Sequence, residues 1–328
     1  MIDVSILCSA IERVQPRAVS YEEPLATMCE HLAGIFQEQE AWTQAANTLA
    51  RIDLESGMRI VENDFKLGKY IKISTLYLED GDASLAESYI KKASSLLSSC
   101  KSQALELQYR MVYARILDST RRFLEACVRY YDLSQIDGAI EGLVLEEGYQ
   151  AQALEAAVTC AILAAAGPQR SRLLATLYKD ERTTSIPQFA ILRSVYLERL
   201  LTSEEVEAFS KSLKPHHLER LPEGTTVLER SVIEHNLEAC SKIYSSIKID
   251  SLAEILHISL DRAQTIVANM IVEDRLPAGI DQVAGLVIFT TSASPMDQWN
   301  NSIEEMCKLS DAIGVTAKNR GIPVPMND

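Results

Sequence analysis

The sequence predicts a mainly α-helical protein in which TPR-like helical repeats lead into a winged helix and then a C-terminal helix. A pattern of large and small residues recurs at helical spacing in the first part of the chain. A later stretch switches between helical and strand periodicity, and the last predicted helix carries an apolar seam. We expect the repeats to occupy residues 1–225, the winged helix 226–291, and the final helix and tail 292–328.

Three repeat units lie between Glu22 and about Leu133. Each unit places an alanine where two antiparallel helices approach most closely, as in the tetratricopeptide pattern. These alanines, Ala45, Ala86 and Ala126, are 41 and 40 residues apart, a longer period than the usual repeat of about 34 residues. Because each helix pair leaves one face apolar, the units must stack on one another as a solenoid.

The repeats are followed by a helix rich in alanine and leucine, residues 154–166, which Gly167 and Pro168 end. The next helix is rich in basic residues with acidic neighbours. We interpret it as a salt-bridged surface face because the opposite charges nearly cancel. The basic residues are Arg170, Arg172, Lys179 and Arg182. Thr202 with Glu205 then predicts the capped start of a further helix.

The helices of the winged helix are indicated by their first residues. Thr226 with Glu229 fits a capping box, in which a hydroxyl and a carboxylate accept hydrogen bonds from backbone N–H groups that the helix leaves free. Ser251 with Glu254 repeats that spacing, and a third helix begins near Ser259.

The strands of the winged helix are short. Ile247 and Ile249 alternate with polar neighbours, and residues 280–283 and 286–289 form two β-rich runs separated by Ala284-Gly285. The separation predicts a two-residue hairpin. An open sheet edge can pair with a strand from another protein, so we expect part of a protein interface here. Its predicted residues are Ile247, Ile249, Ile288 and Phe289.

The final helix begins at Ser294-Pro295 and carries an apolar seam of about three heptads. We expect its distal half to contact other chains, whereas its first turns either do the same or fold back on the winged helix. The predicted interface residues are Met296, Trp299, Ile303, Met306 and Ile313.

Charge argues against nucleic acid and anionic membranes as partners. The chain carries a formal net charge of −14 with a pI near 4.9, and residues 226–291 contain nine acidic and five basic side chains. A winged helix of that charge would be repelled by phosphates. The seven cysteines are scattered without a C-x-x-C pair, as in reduced proteins of the cytosol or nucleus.

No catalytic, cofactor-binding or metal-binding set is predicted. The sequence contains no metalloprotease helix, phosphate-binding loop or nucleophile elbow. Cys29 lies two residues from His31 but occupies a packing position of the repeat, so we interpret it as a core thiol. His216 and His217 are adjacent, and we expect that both cannot easily face one metal ion.

Helical repeats that run into a winged helix resemble the PCI-domain proteins of the proteasome lid, the COP9 signalosome and a translation initiation factor. Four stretches resemble more closely the subunit 4 family of the COP9 signalosome. They are residues 15–23 (QPRAVSYEE), 77–80 (YLED), 166–182 (AGPQRSRLLATLYKDER) and 232–237 (VIEHNL). Relative to that family, we expect earlier repeats to be absent, and the wing carries Ala284-Gly285 where Asp-Gly is usual.

The resemblance implies a non-catalytic scaffold subunit, in the cytoplasm and nucleus, of a complex that removes a ubiquitin-like modifier from cullin–RING ligases. Its implied partners are other PCI subunits, the metalloprotease subunit of the complex, and the cullin–RING substrate. No cofactor, nucleic acid or membrane is implied. The alternatives are a PCI subunit of the proteasome lid and a winged-helix protein that binds nucleic acid.

Overall fold

A computed structural model describes residues 4–15, 21–52, 62–136, 148–220, 225–289 and 295–319. The chain divides into two compact units, residues 1–236 and 237–328. Helices dominate the first unit, and the second contains the only sheet found in the described part of the chain. Within those residues, no helix combines the length and the apolar character needed to cross a bilayer.

The repeats fold as the predicted helix pairs. A first helix precedes three antiparallel pairs, in each of which the predicted alanine is fully buried at the helix contact. The bounds are α1 Val4–Val14, α2 Glu22–Glu38, α3 Trp42–Ala50, α4 Asn63–Asp80, α5 Ala83–Leu97, α6 Gln103–Ser119 and α7 Phe123–Ser134. Gly81 ends α4 with a φ of 94°, a left-handed conformation that glycine adopts without steric cost. The repeat prediction is confirmed.

Two hydrophobic cores lie within this unit, and α6 contributes to both. The first core joins α1 to α5 with one side of α6, through Tyr109, Val112 and Ile116. The second joins α7 and the later helices with another side of α6, which includes Leu107 and Leu117. The helix therefore has apolar residues on two faces, as a solenoid requires of an internal helix.

The rest of the first unit is built from shorter helices. Their bounds are α8 Tyr149–Leu163, α9 Pro168–Lys179, α10 Phe189–Tyr196 and α11 Ser203–Ser210, with 3-10 turns at Glu181–Ser185 and Pro215–Leu218. Thr202 and Glu205 form the predicted capping box before α11. Pro168 occupies the first turn of α9, where its missing N–H is not needed.

Arg170 corrects the interpretation of α9 as a solvated basic face. Its side chain is buried, and it donates hydrogen bonds to the carbonyl oxygens of Ala161 and Ile162 at 3.1 and 3.0 Å. These carbonyls belong to the last turn of α8, which has no further turn to supply donors. Arg182 does form an ion pair, with Asp180 at 2.7 Å. The basic residues predicted for one helix face therefore serve different purposes: Arg170 is structural, and Arg182 lies beyond α9 in the 3-10 turn Glu181–Ser185.

The elements of the winged helix follow the predicted order. They are α12 Val227–Ile243, β1 Ser246–Lys248, α13 Ile249–Leu256, α14 Leu260–Val272, β2 Ala278–Asp281 and β3 Leu286–Phe289. The boundary between the two compact units falls within α12. The three strands form an antiparallel sheet in the order β1-β3-β2. A final helix, α15, spans Pro295–Asn319.

Of the two capping boxes predicted in this region, one forms and the other does not. Thr226 and Glu229 form the capping box, with both side chain to backbone bonds at 3.1 Å. The box predicted at Ser251 and Glu254 is wrong, because α13 already begins at Ile249. Ser251 then lies inside the first turn, where its hydroxyl cannot cap the helix.

The wing has a longer turn than predicted. Asp281 pairs with Leu286, so four residues join the strands instead of two. One carboxylate oxygen of Asp281 accepts hydrogen bonds from the backbone N–H groups of Val283 and Ala284 at 3.0 and 3.1 Å. Gly285 closes the loop with a φ of 62°. The aspartate stabilises a turn that Ala284-Gly285 alone would form weakly.

Candidate protein-interaction site

The final helix presents a long apolar face to solvent. Six large apolar side chains along it are between 45% and 70% exposed, and we call them the α15 apolar face. They are Met296, Trp299, Ile303, Met306, Leu309 and Ile313. The alternative expectation, that the first turns fold back on the winged helix, does not hold for Met296 and Trp299, both of which are exposed.

The opposite side of α15 is polar. Lys308 and Glu304, one helical turn apart, form an ion pair at 2.7 Å, and both side chains are solvated. A 25-residue helix is about 37 Å long at about 1.5 Å per residue. Burying a large apolar side chain contributes about 1.5–3 kcal/mol, so the α15 apolar face offers on the order of 10 kcal/mol before ordering costs.

The predicted interface residues of the sheet lie in different environments. Ile247 and Phe289 are buried inside the winged helix, and Ile249 is a buried residue of α13, not of a strand. Ile288 lies on the outer side of β3 and is 46% exposed. Its side chain is therefore the one of these four that is available to another protein.

The expectation that Ile288 and Phe289 lie on an open sheet edge is wrong. β3 is the central strand and pairs with β1 on one side and with β2 on the other. Its N–H and C=O groups already have partners, so a proline at Ile288 or Phe289 would break the sheet itself. Among the residues that the structure describes, the edge strands of the sheet are β1 and β2. A strand from another protein could therefore pair only with β1, Ser246–Lys248, or β2, Ala278–Asp281, of this sheet.

A buried polar cluster occupies the first unit, and sequence reasoning missed it. The carboxylate of Asp118, at the end of α6, meets the Nε2 atoms of His217 at 2.7 Å and of His216 at 3.3 Å. The expectation that adjacent histidines cannot easily face one centre is wrong, because both imidazoles turn towards Asp118. Burial would raise the pKa of Asp118, but the two imidazoles hold it well below its usual value.

The remaining histidine and cysteine candidates are structural. Burial raises the pKa of the Cys29 thiol, which disfavours the thiolate that a nucleophile needs. Burial also lowers the pKa of His235 to about 4, and the charge of Arg170 acts in the same direction. The ring of His235 donates from Nε2 to the carbonyl oxygen of Arg199 at 2.9 Å. These features fit packing, as predicted for Cys29.

Two models of known protein families match this chain, one over the helical repeats and one over the region that contains the winged helix. A family model described as "PSMD12/CSN4, N-terminal" matches residues 3–141, and the PCI domain model matches residues 197–291. COP9 signalosome complex subunit 4 of Arabidopsis thaliana is 48% identical over 318 residues, which cover 96% of this chain and 80% of the relative. The chain belongs to the COP9 signalosome subunit 4 family.

Further members of the subunit 4 family show the same extent of similarity. The Dictyostelium discoideum protein is 40% identical over 297 residues, 90% of this chain and 74% of the relative. The Drosophila melanogaster protein is 39% identical over 303 residues, 92% and 73%. The PCI match ends at residue 291, where the sequence places the end of the winged helix, so α15 follows the matched domain.

Leu309 and Asp118 are the residues of interest that the sequence did not single out in this subunit 4 family member. Leu309 falls outside the two heptad columns of the seam, beside Met306, yet it is as exposed as its neighbours. A broader apolar stripe of the kind seen on amphipathic helices would have included it. Asp118 carries no local signal, because its partners are 98 and 99 residues away along the chain.

Proposed function

We propose that this chain is a non-catalytic scaffold subunit of a COP9 signalosome, the complex that removes a ubiquitin-like modifier from cullin–RING ligases. It acts in the cytoplasm and nucleus, holding other PCI subunits and the metalloprotease subunit in place while the repeats face the cullin–RING substrate. The observation that carries the proposal is the α15 apolar face, a solvent-exposed helix face in a chain of the subunit 4 family.

Physical chemistry supports assembly through α15. Large exposed apolar patches mark protein interfaces because their burial releases water from apolar surface. A helix with one apolar and one charged side fits a bundle formed with helices of other subunits. The charged side of α15 then stays in water, which fixes the rotation of the helix in the bundle.

The repeats and the winged helix supply the rest of the scaffold. Stacked helix pairs form an extended surface, which is the property that solenoids use to bind large partners. Ile288 and the edges of β1 and β2 add a second contact for a neighbouring PCI subunit. Catalysis belongs to the metalloprotease subunit in this proposal, and this chain contributes placement.

The test is a double substitution on the α15 apolar face, Ile303→Asp with Met306→Asp. Two buried charges in place of two apolar anchors should weaken incorporation by about a thousandfold, since hot-spot side chains contribute about 2 kcal/mol or more each. The measurement is co-purification of the other signalosome subunits with the tagged full chain. Both side chains are exposed, so the substitutions should leave the fold of the free chain unchanged.

The matched control lies on the opposite side of the same helix. Exchanging the charges of the ion pair, Glu304→Lys with Lys308→Glu, alters two exposed residues without touching the α15 apolar face. This variant should incorporate like the unmodified chain. Full incorporation of the Asp double variant, with circular dichroism showing an intact fold, would remove α15 as the assembly element.

A further inference from the structure

A second candidate site lies in the first unit, where three segments that are distant in sequence bring metal-ligating groups together. Asp118 ends α6, Cys160 lies in α8, and His216 with His217 forms the 3-10 turn Pro215–Leu218. One ligand atom from each of Asp118, His216 and His217 lies within 4.8 Å of the others. Cys160 Sγ lies beside this group of three, 3.6 Å from Asp118 Oδ1, and is the nearest further donor that the described contacts place at Asp118.

Charge balance alone does not account for this cluster. Lys214 Nζ already lies 3.7 Å from Asp118 Oδ2, so one cation is available to the carboxylate. The two imidazoles and the thiol are therefore not required to neutralise the charge of the Asp118 carboxylate. Moreover, among the described residues His216 Nε2 has no partner with hydrogen-bond geometry, although it is buried and 3.3 Å from Oδ2. A buried imidazole nitrogen without a hydrogen bond is costly unless it binds something else.

The positions of the donors suit a tetrahedral ion. Ligand atoms about 2.0–2.3 Å from zinc are separated from one another by roughly 3.3–3.7 Å. The separations of the Asp118 carboxylate from His217 Nε2, His216 Nε2 and Cys160 Sγ are 2.7, 3.3 and 3.6 Å. The three donors of Asp118, His216 and His217 are already close to one another, and the Cys160 side chain must rotate towards the imidazoles to complete the site. The His216 and His217 rings are 4.0 Å apart at 63°, which lets both Nε2 atoms approach one point.

We propose that Asp118, His216, His217 and Cys160 bind one Zn²⁺ ion in a structural site. Two nitrogens, one oxygen and one sulfur are ligands that zinc accepts in tetrahedral geometry. Both histidines bind through neutral Nε2, and the thiol releases its proton to solvent as the metal–sulfur bond forms. One carboxylate and one thiolate then balance the double charge of the ion. Asp118, Cys160 and His217 are buried, which fits a closed structural site without an open coordination position.

The ion would join α6 and α8 to the segment that precedes the winged helix. Asp118 lies within the part of the chain matched by the N-terminal family model, and the two histidines lie within the part matched by the PCI domain model. Metal binding would therefore stabilise the contact between these two parts of the first unit, and removal of the metal should lower its stability.

Cobalt provides the test, because Co²⁺ substitutes for Zn²⁺ and reports its ligands by absorption. The full chain is stripped with a chelator, dialysed and titrated with Co²⁺. We expect one equivalent to bind, with intense visible bands of tetrahedral Co²⁺ and a near-ultraviolet thiolate band. His216→Ala should weaken binding by more than about tenfold, since even outer partners of a metal site contribute that much. Cys160→Ala should remove the thiolate band.

Control variants separate this site from other histidines and thiols. His31→Ala removes an exposed histidine of α2, and Cys307→Ser removes the exposed thiol of α15. Both should bind Co²⁺ as the unmodified chain does. Zinc should raise the unfolding temperature of the stripped chain and of His31→Ala but not of His216→Ala. The His216 side chain is a third exposed, so we expect this variant to fold. A stripped chain that binds no Co²⁺, or equal binding by His216→Ala, overturns the proposal.

Discussion

His235 links the stability of the first unit to pH. Its ring is buried, and burial lowers its pKa from 6.5 to about 4. The folded chain therefore holds His235 neutral at a pH where the unfolded chain would protonate it. Since the unfolded state binds more protons between those two pH values, stability is complete above about pH 6.5 and falls as pH decreases to about 4.

Replacing His235 with glutamine should remove that dependence. A shift of this size corresponds to about 3 kcal/mol of unfolding free energy, lost progressively across the interval. Glutamine has an N–H group for the Arg199 carbonyl that His235 contacts at 2.9 Å, but it does not titrate. Urea unfolding at a series of pH values, with a chelator present, should therefore give a flatter profile for His235→Gln.

The exposed His31 of α2 is the matched control for this measurement. His31→Gln should keep the acid-dependent loss of the unmodified chain, because it leaves the buried His235 in place. Parallel pH profiles for the unmodified chain and His235→Gln would show that another group controls the interval.

At the scale of single residues, what the sequence could predict depended on distance along the chain. Two predictions that depended only on residues within one or two helical turns are confirmed. They are the burial of Cys29 and the capping box formed by Thr226 and Glu229. Asp118 and His217 are 99 residues apart, and only the packed helices bring them within 2.7 Å. A local sequence pattern cannot predict a contact between residues so far apart along the chain.

Among the helices of the repeats, α5 offers a direct test of close packing. Ala86 is fully buried where α5 meets α4. Leucine there must displace a well-packed neighbour, so Ala86→Leu should lower the unfolding free energy by about 1–3 kcal/mol. Ser95→Leu adds a side chain of the same kind at an exposed position of the same helix and should change stability by less than about 0.5 kcal/mol.

Chemical unfolding followed by circular dichroism measures both variants. If Ala86→Leu were as stable as Ser95→Leu, the helices would have room to separate, and the alanine would not mark a close approach. The spacing of Ala45, Ala86 and Ala126 would then need another explanation.

At the scale of elements, the type of each element of the winged helix was predictable, but its edges and partners were not. Ile247 and Ile249 alternate with polar residues as in a strand, yet α13 begins at Ile249. For so short a segment, tertiary packing and not the local pattern determines where the strand ends and the helix begins. The wing turn lengthened because the Asp281 carboxylate binds two loop N–H groups. Strand order within a sheet has no sequence period, so the central place of β3 was not predictable.

For the whole molecule, we expect no isopeptidase activity from the isolated chain. Burial raises the pKa of the cysteines whose pKa is shifted, which disfavours the thiolate that a nucleophile needs. Asp118 and His217 are buried. Incubation of the chain with a modified cullin should leave the modifier attached, while addition of the metalloprotease subunit and the other subunits should release it. Release that persists after repurification of the chain alone would contradict this expectation.

The double-sided packing of α6 has a consequence for folding during synthesis. Every residue of the first core lies before Ser119, so that core can close as soon as α6 has left the ribosome. The second core needs residues up to Leu228. Until these are made, Leu107, Ala114 and Leu117 on the far side of α6 remain uncovered. This interval leaves an apolar surface on which a chaperone could act before the later helices replace it.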